Sequence, residues 1–575
     1  MTTRAQLKEL IAVARGEKPA DLVLKGGVVV NVFSGELMKT DVAVHQGRIA
    51  GLGEYEGAEV VDVSGSYILP GLIDSHVHPE SAMLEPARFA REVAPLGTTC
   101  VVADPHEIAN VLGEEGIAFM LERSEGLPVA FYFNVPSCVP ATHMETAGAA
   151  LGADAIAKFL AHPRVLGVAE MMNFPGVLMG FDEVMDKLLA GMAVLARVDG
   201  HAPGLSGKDL NAYLAAGISS DHEAFTANEA KEKLDRGMAI AIREGSAARN
   251  LADLLPVVTE KTWQRCMFCT DDRHALDLKQ RGHLNSILAM AVGLGMDPVM
   301  AVRLATITPA THYGLKDRGA VAPGFVADLV VTPDLTHFCP SLVYTGGLRA
   351  AKDGHALFPT PDYGKPWPNK ARVRPFAARD FRIGAQEDQG PVIGVVPGQI
   401  ITRNLRLTLP NRGGEVVADT GADILKMAVV ERYSGRSGHC VALVQGFGLK
   451  RGALATSVAH DSHNFLAVGC DDESLSRAIN ALATHGGGLV ACDGDTTLTL
   501  PLEVAGLMSS LPGDEVRQRL SALLAMAKGM GCVLAEPFMQ LAFLALPVIP
   551  SLKLTDRGLV DVERFQVITP YRPLA

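Results

Sequence analysis

A rhythm in the middle of the chain constrains its fold more than any other feature. Between residues 67 and 318, short apolar or β-branched runs alternate with longer stretches rich in Ala, Leu, Glu and Lys. Eight runs stand out: Tyr67–Ile73, Thr98–Ala103, Val129–Phe133, Val165–Ala169, Met192–Val198, Gly217–Ser220, Met238–Ile242 and Met267–Thr270. Eight β-then-α units in roughly 250 residues predict a (β/α)8 TIM-type barrel. Seven of the runs are followed almost at once by a group capable of metal binding or acid–base work. These are His76 with His78, Asp104 with His106, Glu170, His201, His222, Glu244, and Asp271 with Asp272. The third run ends instead in Asn134-Val-Pro-Ser137. A barrel gathers such strand ends on one face, where active sites of this fold lie.

The flanks read differently. Asp21–Asn31 is rich in Val and Leu, Val42 and Val44 alternate with other residues before the turn Gln46-Gly47, and a second β segment falls at Gly319–Thr332. Segments 1–66 and 319–370 are expected to pair into one small β-sandwich. Past the Pro-rich link Pro359–Pro368, segment 371–575 predicts an additional C-terminal α/β domain. Its expected strands are Val392–Val396, Ala428–Val430, Ala442–Val444 and Ala453–Val458, with helices at Asp472–His485 and Asp514–Lys528. The whole is an α/β protein.

Charge and apolar content narrow the partners. Lys and Arg number 52 against 64 Asp and Glu, a formal net charge of −12 that gives no footprint for a phosphate backbone. No nucleic acid is expected. The apolar runs near Ile287–Val302 and Phe538–Pro550 are broken by Asp297 or by prolines, so no membrane span is expected. The opening Met1–Lys8 is polar, and the nine cysteines are scattered without scaffold spacing, which together predict a cytoplasmic protein with reduced thiols.

Each strand-end group suits a particular task. Residues i and i+2 of a strand point to one side, so His76 and His78 can reach one ion. Glu170 can lend one oxygen to each of two divalent ions, and His201 and His222 are the natural ligands of the second. Asp271 can hold metal and carry a proton from an attacking water to a leaving group, while Asp272 would face the substrate. Asp104, His106, Glu107 and Glu244 are further pocket candidates. His460-Asp461-Ser462-His463 reads either as a local hydrogen-bonded knot or as a lid over the barrel mouth. Cys266-Met-Phe-Cys269 has CxxC form but no second pair, so no zinc knuckle is expected.

These motifs resemble the amidohydrolase superfamily and, more narrowly, the adenine deaminases. Pro70-Gly-Leu-Ile-Asp-Ser-His-Val-His78, Gly200-His-Ala-Pro-Gly204 and Thr270-Asp-Asp-Arg-His274 carry the resemblance along the barrel, and the narrower signals are Asp104-Pro-His-Glu107, Ala169-Glu-Met-Met-Asn-Phe-Pro-Gly176 and Ser457-Val-Ala-His-Asp-Ser-His-Asn464. The resemblance implies hydrolysis of adenine to hypoxanthine and ammonia with two divalent metal ions, Mn2+ or Fe2+ before Zn2+. It implies a metal shell of His76, His78, Glu170, His201, His222 and Asp271, with Asp271 and Glu170 in catalysis. Pro79 and His143 depart from the expected pattern beside that shell. No Glu follows His201, so Glu170, Glu223 and Glu244 remain alternatives for protonating the purine ring. Rival readings are a cyclic-amide hydrolase acting on a hydantoin or dihydropyrimidine, which would usually bridge its metals with a carboxylated Lys, and an inactive barrel serving in assembly. A homodimer is the default assembly expected of a soluble enzyme.

Overall fold

The computed structural model describes residues 3–246, 248–361, 363, 368–385 and 387–574. Part of the expected link Pro359–Pro368, namely 362 and 364–367, lies outside them.

Eight parallel strands build the central barrel: β1 (Leu72–Val77), β2 (Thr98–Ala103), β3 (Ala130–Val135), β4 (Val165–Met171), β5 (Arg197–Gly200), β6 (Ser220–Asp221), β7 (Ala239–Arg243) and β8 (Cys266–Cys269). β1 to β5 form one ladder in chain order and β6 to β8 a second. Two seams close the ring. Ser219 N donates to Val198 O at 2.9 Å. Asp271 N donates to His76 O at 3.0 Å, and Asp271 bridges Val77 in parallel. Strands covered on both faces need continuous apolar sequence, and every residue of β2, β7 and β8 is buried.

The sixth expected run, Gly217–Ser220, meets its strand only at Ser220, and two other runs differ in kind. Tyr67–Ile73 is not one barrel strand. Tyr67–Pro70 belongs to a neighbouring sheet, and β1 begins only at Leu72. Gly71 separates the two, and a side chain there would lie 2.1 Å from Thr99 Oγ1. In the fifth run, Met192 and Ala193 complete the helix Asp182–Ala193, and β5 starts at Arg197. Both errors arise because an apolar run carries no mark of the element that buries it.

The flanking segments meet as expected. Leu329–Thr332 lies antiparallel to Tyr67–Pro70, which itself runs parallel to Val28–Val30. A seven-stranded sheet thus combines strands from both flanks, and a four-stranded sheet of Ala20–Lys25, Val42–His45, Arg48–Leu52 and Gly57–Asp62 packs on it. In Gly319–Thr332 only the last four residues are strand.

An eight-stranded sheet organises the C-terminal segment. It includes Gln389–Val395, Ile424–Val430, His439–Gln445 and Ala453–Thr456, close to the expected strands. Helix Asp472–His485 matches its prediction and helix Gly513–Gly529 exceeds its own by a residue at each end. Alternation along the strands decides the packing. Ala453 and Ala455 face helix Asp472–His485, whereas Leu454 joins a core shared with the barrel residues Val77 and Val101. That shared core sets the C-terminal sheet over the barrel mouth. Among the described residues, no helix is long and apolar enough to cross a membrane.

Candidate active site

The C-terminal ends of the barrel strands converge on one buried cluster. His76, His78, Glu170, His201, His222 and Asp271 are each between 3 and 6% exposed. His76 Nε2 and His78 Nε2 lie 3.1 Å apart, and Asp271 Oδ1 is 3.3 Å from the first and 3.0 Å from the second. Glu170 stands between two pairs of imidazoles. Its Oε1 is 3.7 Å from His76 and 3.4 Å from His78, and its Oε2 is 2.6 Å from His201 Nδ1 and 3.3 Å from His222 Nε2.

Local structure explains each placement. Asp271 adopts left-handed backbone, φ 54°, which Asp tolerates better than most residues. The bonds that close the barrel, Asp271 N to His76 O and His78 N to Asp271 O (3.4 Å), hold it there. Ring closure and assembly of the His-x-His-plus-Asp group are therefore one event. Gly200 is required before His201 because a Cβ would lie 2.3 Å from Ser220 O. The Tyr213 hydroxyl accepts from His201 N at 3.0 Å and donates to Met171 O at 2.8 Å, tying β5 to β4. The third strand end is structural: Ser137 Oγ donates to Glu170 O at 2.7 Å, and Asn134 Nδ2 to Asp199 Oδ2 at 2.7 Å.

Charge is arranged tightly. Burial opposes ionisation of Glu170, but the imidazoles, His222 foremost, hold its carboxyl well below the usual range. Burial likewise works against an ionised Asp271, and is outweighed by Arg243 and the two β1 histidines. Arg243 Nη1 donates to Asp271 Oδ2 at 2.9 Å and Nη2 to Glu223 Oε2 at 2.8 Å, so one guanidinium fixes two carboxylates. Asp272 is pushed the other way, first by burial and then by Asp271, and hydrogen-bonds Ser81.

The chemistry of this donor set fits divalent metal. Imidazole nitrogens and carboxylate oxygens face one another at close range, and His201 Nε2 is buried without a hydrogen-bond partner among the described residues. Close sets comprise His76, His222 and Asp271; Glu170, His201 and His222; and His78, Asp104, His106 and Glu170. No such set contains a cysteine; Cys266 and Cys269 lie buried in β8.

A pocket opens from the cluster, lined by His106, Glu107, Glu223, Arg243, Asp272 and six residues of the C-terminal segment: Ile400, His460, Asp461, Phe543, Leu546 and Ile549. Asp104 lies behind it, its Oδ2 3.2 Å from His106 Nδ1. Glu244 does not match the expectation of a pocket role. Its carboxylate accepts from Leu251 N at 3.3 Å and faces Arg281 at 3.5 Å, because the residue after Arg243 on a pleated strand points away from the pocket. The apolar wall of Phe543, Leu546, Ile549 and Ile400 carried no motif that sequence reading could find.

The fold and site define a class: residues 67–348 match the model of the amidohydrolase family. Residues 399–566 match the adenine deaminase C-terminal domain. A relative named adenine deaminase from Desulfatibacillum aliphaticivorans is 50% identical over 98% of this chain and 99% of its own length, and one from Dehalococcoides mccartyi strain CBDB1 is 49% identical over the same shares. The chain belongs to the adenine deaminase family. Among solved structures, a β-aspartyl dipeptidase from Fervidobacterium islandicum AW-1 matches 58% of this chain and 98% of its own at a TM-score of 0.44 and 18% identity, too distant a likeness to bear on the chemistry.

Proposed function

We propose that the protein hydrolyses adenine to hypoxanthine and ammonia. One observation carries the reading beyond family membership: Glu170 turns one oxygen towards His76 and His78 and the other towards His201 and His222. That is the geometry a carboxylate needs to serve two ions at once. His76, His78 and Asp271 would hold one ion, His201 and His222 the other, and Glu170 both. The mixed nitrogen and oxygen donors favour Mn2+ or Fe2+, with Zn2+ also suited. Ions held there supply Lewis acidity that brings the pKa of a water towards 7.

The chain's own groups do the rest. Asp271, oriented by Arg243, takes a proton from the water as its oxygen bonds to C6 and the C6–N1 π electrons move to N1. N1 takes a proton from a pocket carboxyl group, which regains one from the C6 hydroxyl as the carbonyl forms. Asp271 passes the proton it took from the water to the exocyclic nitrogen, the bond from C6 to that nitrogen breaks, and ammonia leaves. Of the three carboxylates considered for ring protonation, Glu170 and Glu223 line the pocket and Glu244 does not. Asp272, His106 and Glu107 line the substrate side of the cluster, with Asp104 behind His106.

Metal analysis, an ammonia-release assay on adenine and adenosine, and a ring-opening assay on hydantoin test the reading. About two ions per chain with adenine as the best substrate is the expected result. A metal-free protein, or one that prefers hydantoin, would overturn it.

A further inference from the structure

The C-terminal segment does more than cover the barrel. Its loop Ala459–His463 carries two polar groups into the pocket wall, and several contacts hold that loop still. His460 Nδ1 lies 2.8 Å from Glu107 Oε1, and His463 pairs with the other oxygen of the same carboxylate. His460 N donates to Ala542 O at 3.1 Å, and its ring stacks on Phe543 with centroids 4.3 Å apart and planes 14° from parallel. Asn464 Nδ2 reaches across to Thr146 O at 2.8 Å. The loop is thus bound to the barrel on one side and to the helix Pro537–Ala542 on the other.

Several buried polar atoms of this pinned loop lack a hydrogen-bond partner among the described residues, and two of them belong to pocket-lining residues. Asp461 is 2% exposed, and its Oδ2 has no hydrogen-bond partner among the described residues; His460 Nε2 is in the same position. Asp461 Oδ1 lies 3.8 Å from His106 Nε2 and 3.9 Å from His460 Nδ1. Leaving a buried carboxylate oxygen unpaired is costly, and a rigid loop cannot turn it to solvent. Both residues line the same pocket as the candidate catalytic cluster, beside the apolar side chains of Ile400, Leu546 and Ile549. The free acceptor is therefore aimed at whatever occupies that pocket.

Resting on the adenine reading, we propose that Asp461 accepts the imidazole-ring N–H of a free purine base, and that the C-terminal segment thereby selects bases over nucleosides. A free purine has one such N–H, on N9 or N7. In a nucleoside the N9 position carries ribose, so no proton remains there and the sugar would have to enter the wall of Leu546 and Ile549. A site built to take an N–H donor rejects the analogue that lacks it by on the order of ten-thousandfold. The barrel would then do the chemistry while the C-terminal segment sets the substrate.

The test compares the metal-loaded full-length protein with its Asp461→Ala and Asp461→Asn variants. For each, kcat and KM for adenine are measured, with competitive inhibition constants for hypoxanthine and 9-methylhypoxanthine. In the parent, hypoxanthine should bind at least about a hundredfold more tightly than its 9-methyl form. Asp461→Ala should raise KM for adenine far more than it lowers kcat and bring the two inhibition constants within about tenfold. Asp461→Asn, which keeps an acceptor oxygen, should recover part of the preference. Metal content and melting temperature identify a variant that has failed to fold, and the Asn variant then decides. Equal inhibition by the two bases in the parent, or an unchanged ratio in the variants, overturns the proposal. A parent without activity on adenine would instead overturn the assigned reaction.

Discussion

Glu170 and His201 are joined across two barrel strands by a contact of 2.6 Å, from Oε2 to Nδ1. The same carboxylate keeps its other oxygen for the β1 histidines. Glu170→Gln removes the charge and replaces one of the two oxygens with a nitrogen that cannot bridge. The expected outcome is a protein holding at most one ion per chain, with deaminase activity down by on the order of a thousandfold. Full metal content with near-normal turnover would refute a bridging role.

Asp271 is held by Arg243 through Oδ2 while Oδ1 faces the histidines. Asp271→Asn should keep the fold, since the barrel-closing bonds use only its backbone. It should lower kcat by about a hundred- to ten-thousandfold, the usual range for a lost acid–base group. Circular dichroism alongside turnover separates the two effects.

Arg243 sits between two buried carboxylates, so removing it leaves like charges unpaired. Arg243→Met should cost about 3–5 kcal/mol of stability in the metal-free protein. Adding Glu223→Gln to that background removes one of the orphaned charges and should restore part of the loss. Denaturant titration of these two variants and of Glu223→Gln alone reads the coupling; additive effects would show that the guanidinium does not link the pair.

Lys553 is buried with only carbonyl partners, Ile400 O at 2.7 Å and Phe543 O at 2.9 Å, and burial pushes its pKa from the ordinary 10.5 down to about 7. Between those two values the unfolded chain binds a proton that the folded chain has released. Stability from this group therefore rises with pH across that window, by up to about 1.4 kcal/mol per pH unit, and its cost is complete below it. Lys553→Met should abolish that slope. Stability differences between the parent and this variant that stay flat from pH 7.5 to 9.5 would contradict the assignment.

Much of the barrel and its cluster could be read in the chain, because seven of the eight apolar runs close on a metal-suited residue and a barrel brings such ends together. His201 and His222 were legible for that reason, His201 also through Gly200-His-Ala-Pro-Gly204. Glu244 misled because proximity to a strand end does not say which side of the pleat a residue takes, and Arg243, its neighbour, occupies the pocket side. Tyr67–Pro70 and Leu72–Val77 looked like one strand since both are buried, in different sheets. The contribution of Phe543, Leu546 and Ile549 lay beyond the sequence, as apolar side chains lining a pocket have the same pattern as those filling a core.

The antiparallel match of Leu329–Thr332 with Tyr67–Pro70 has a consequence for synthesis. Strands made first must wait, with one edge unsatisfied, until the entire catalytic body has left the ribosome and delivered their partner. The late strand then acts as a clasp, and a chain that stalls before it is made is left with an open strand edge, a ready template for pairing with other chains.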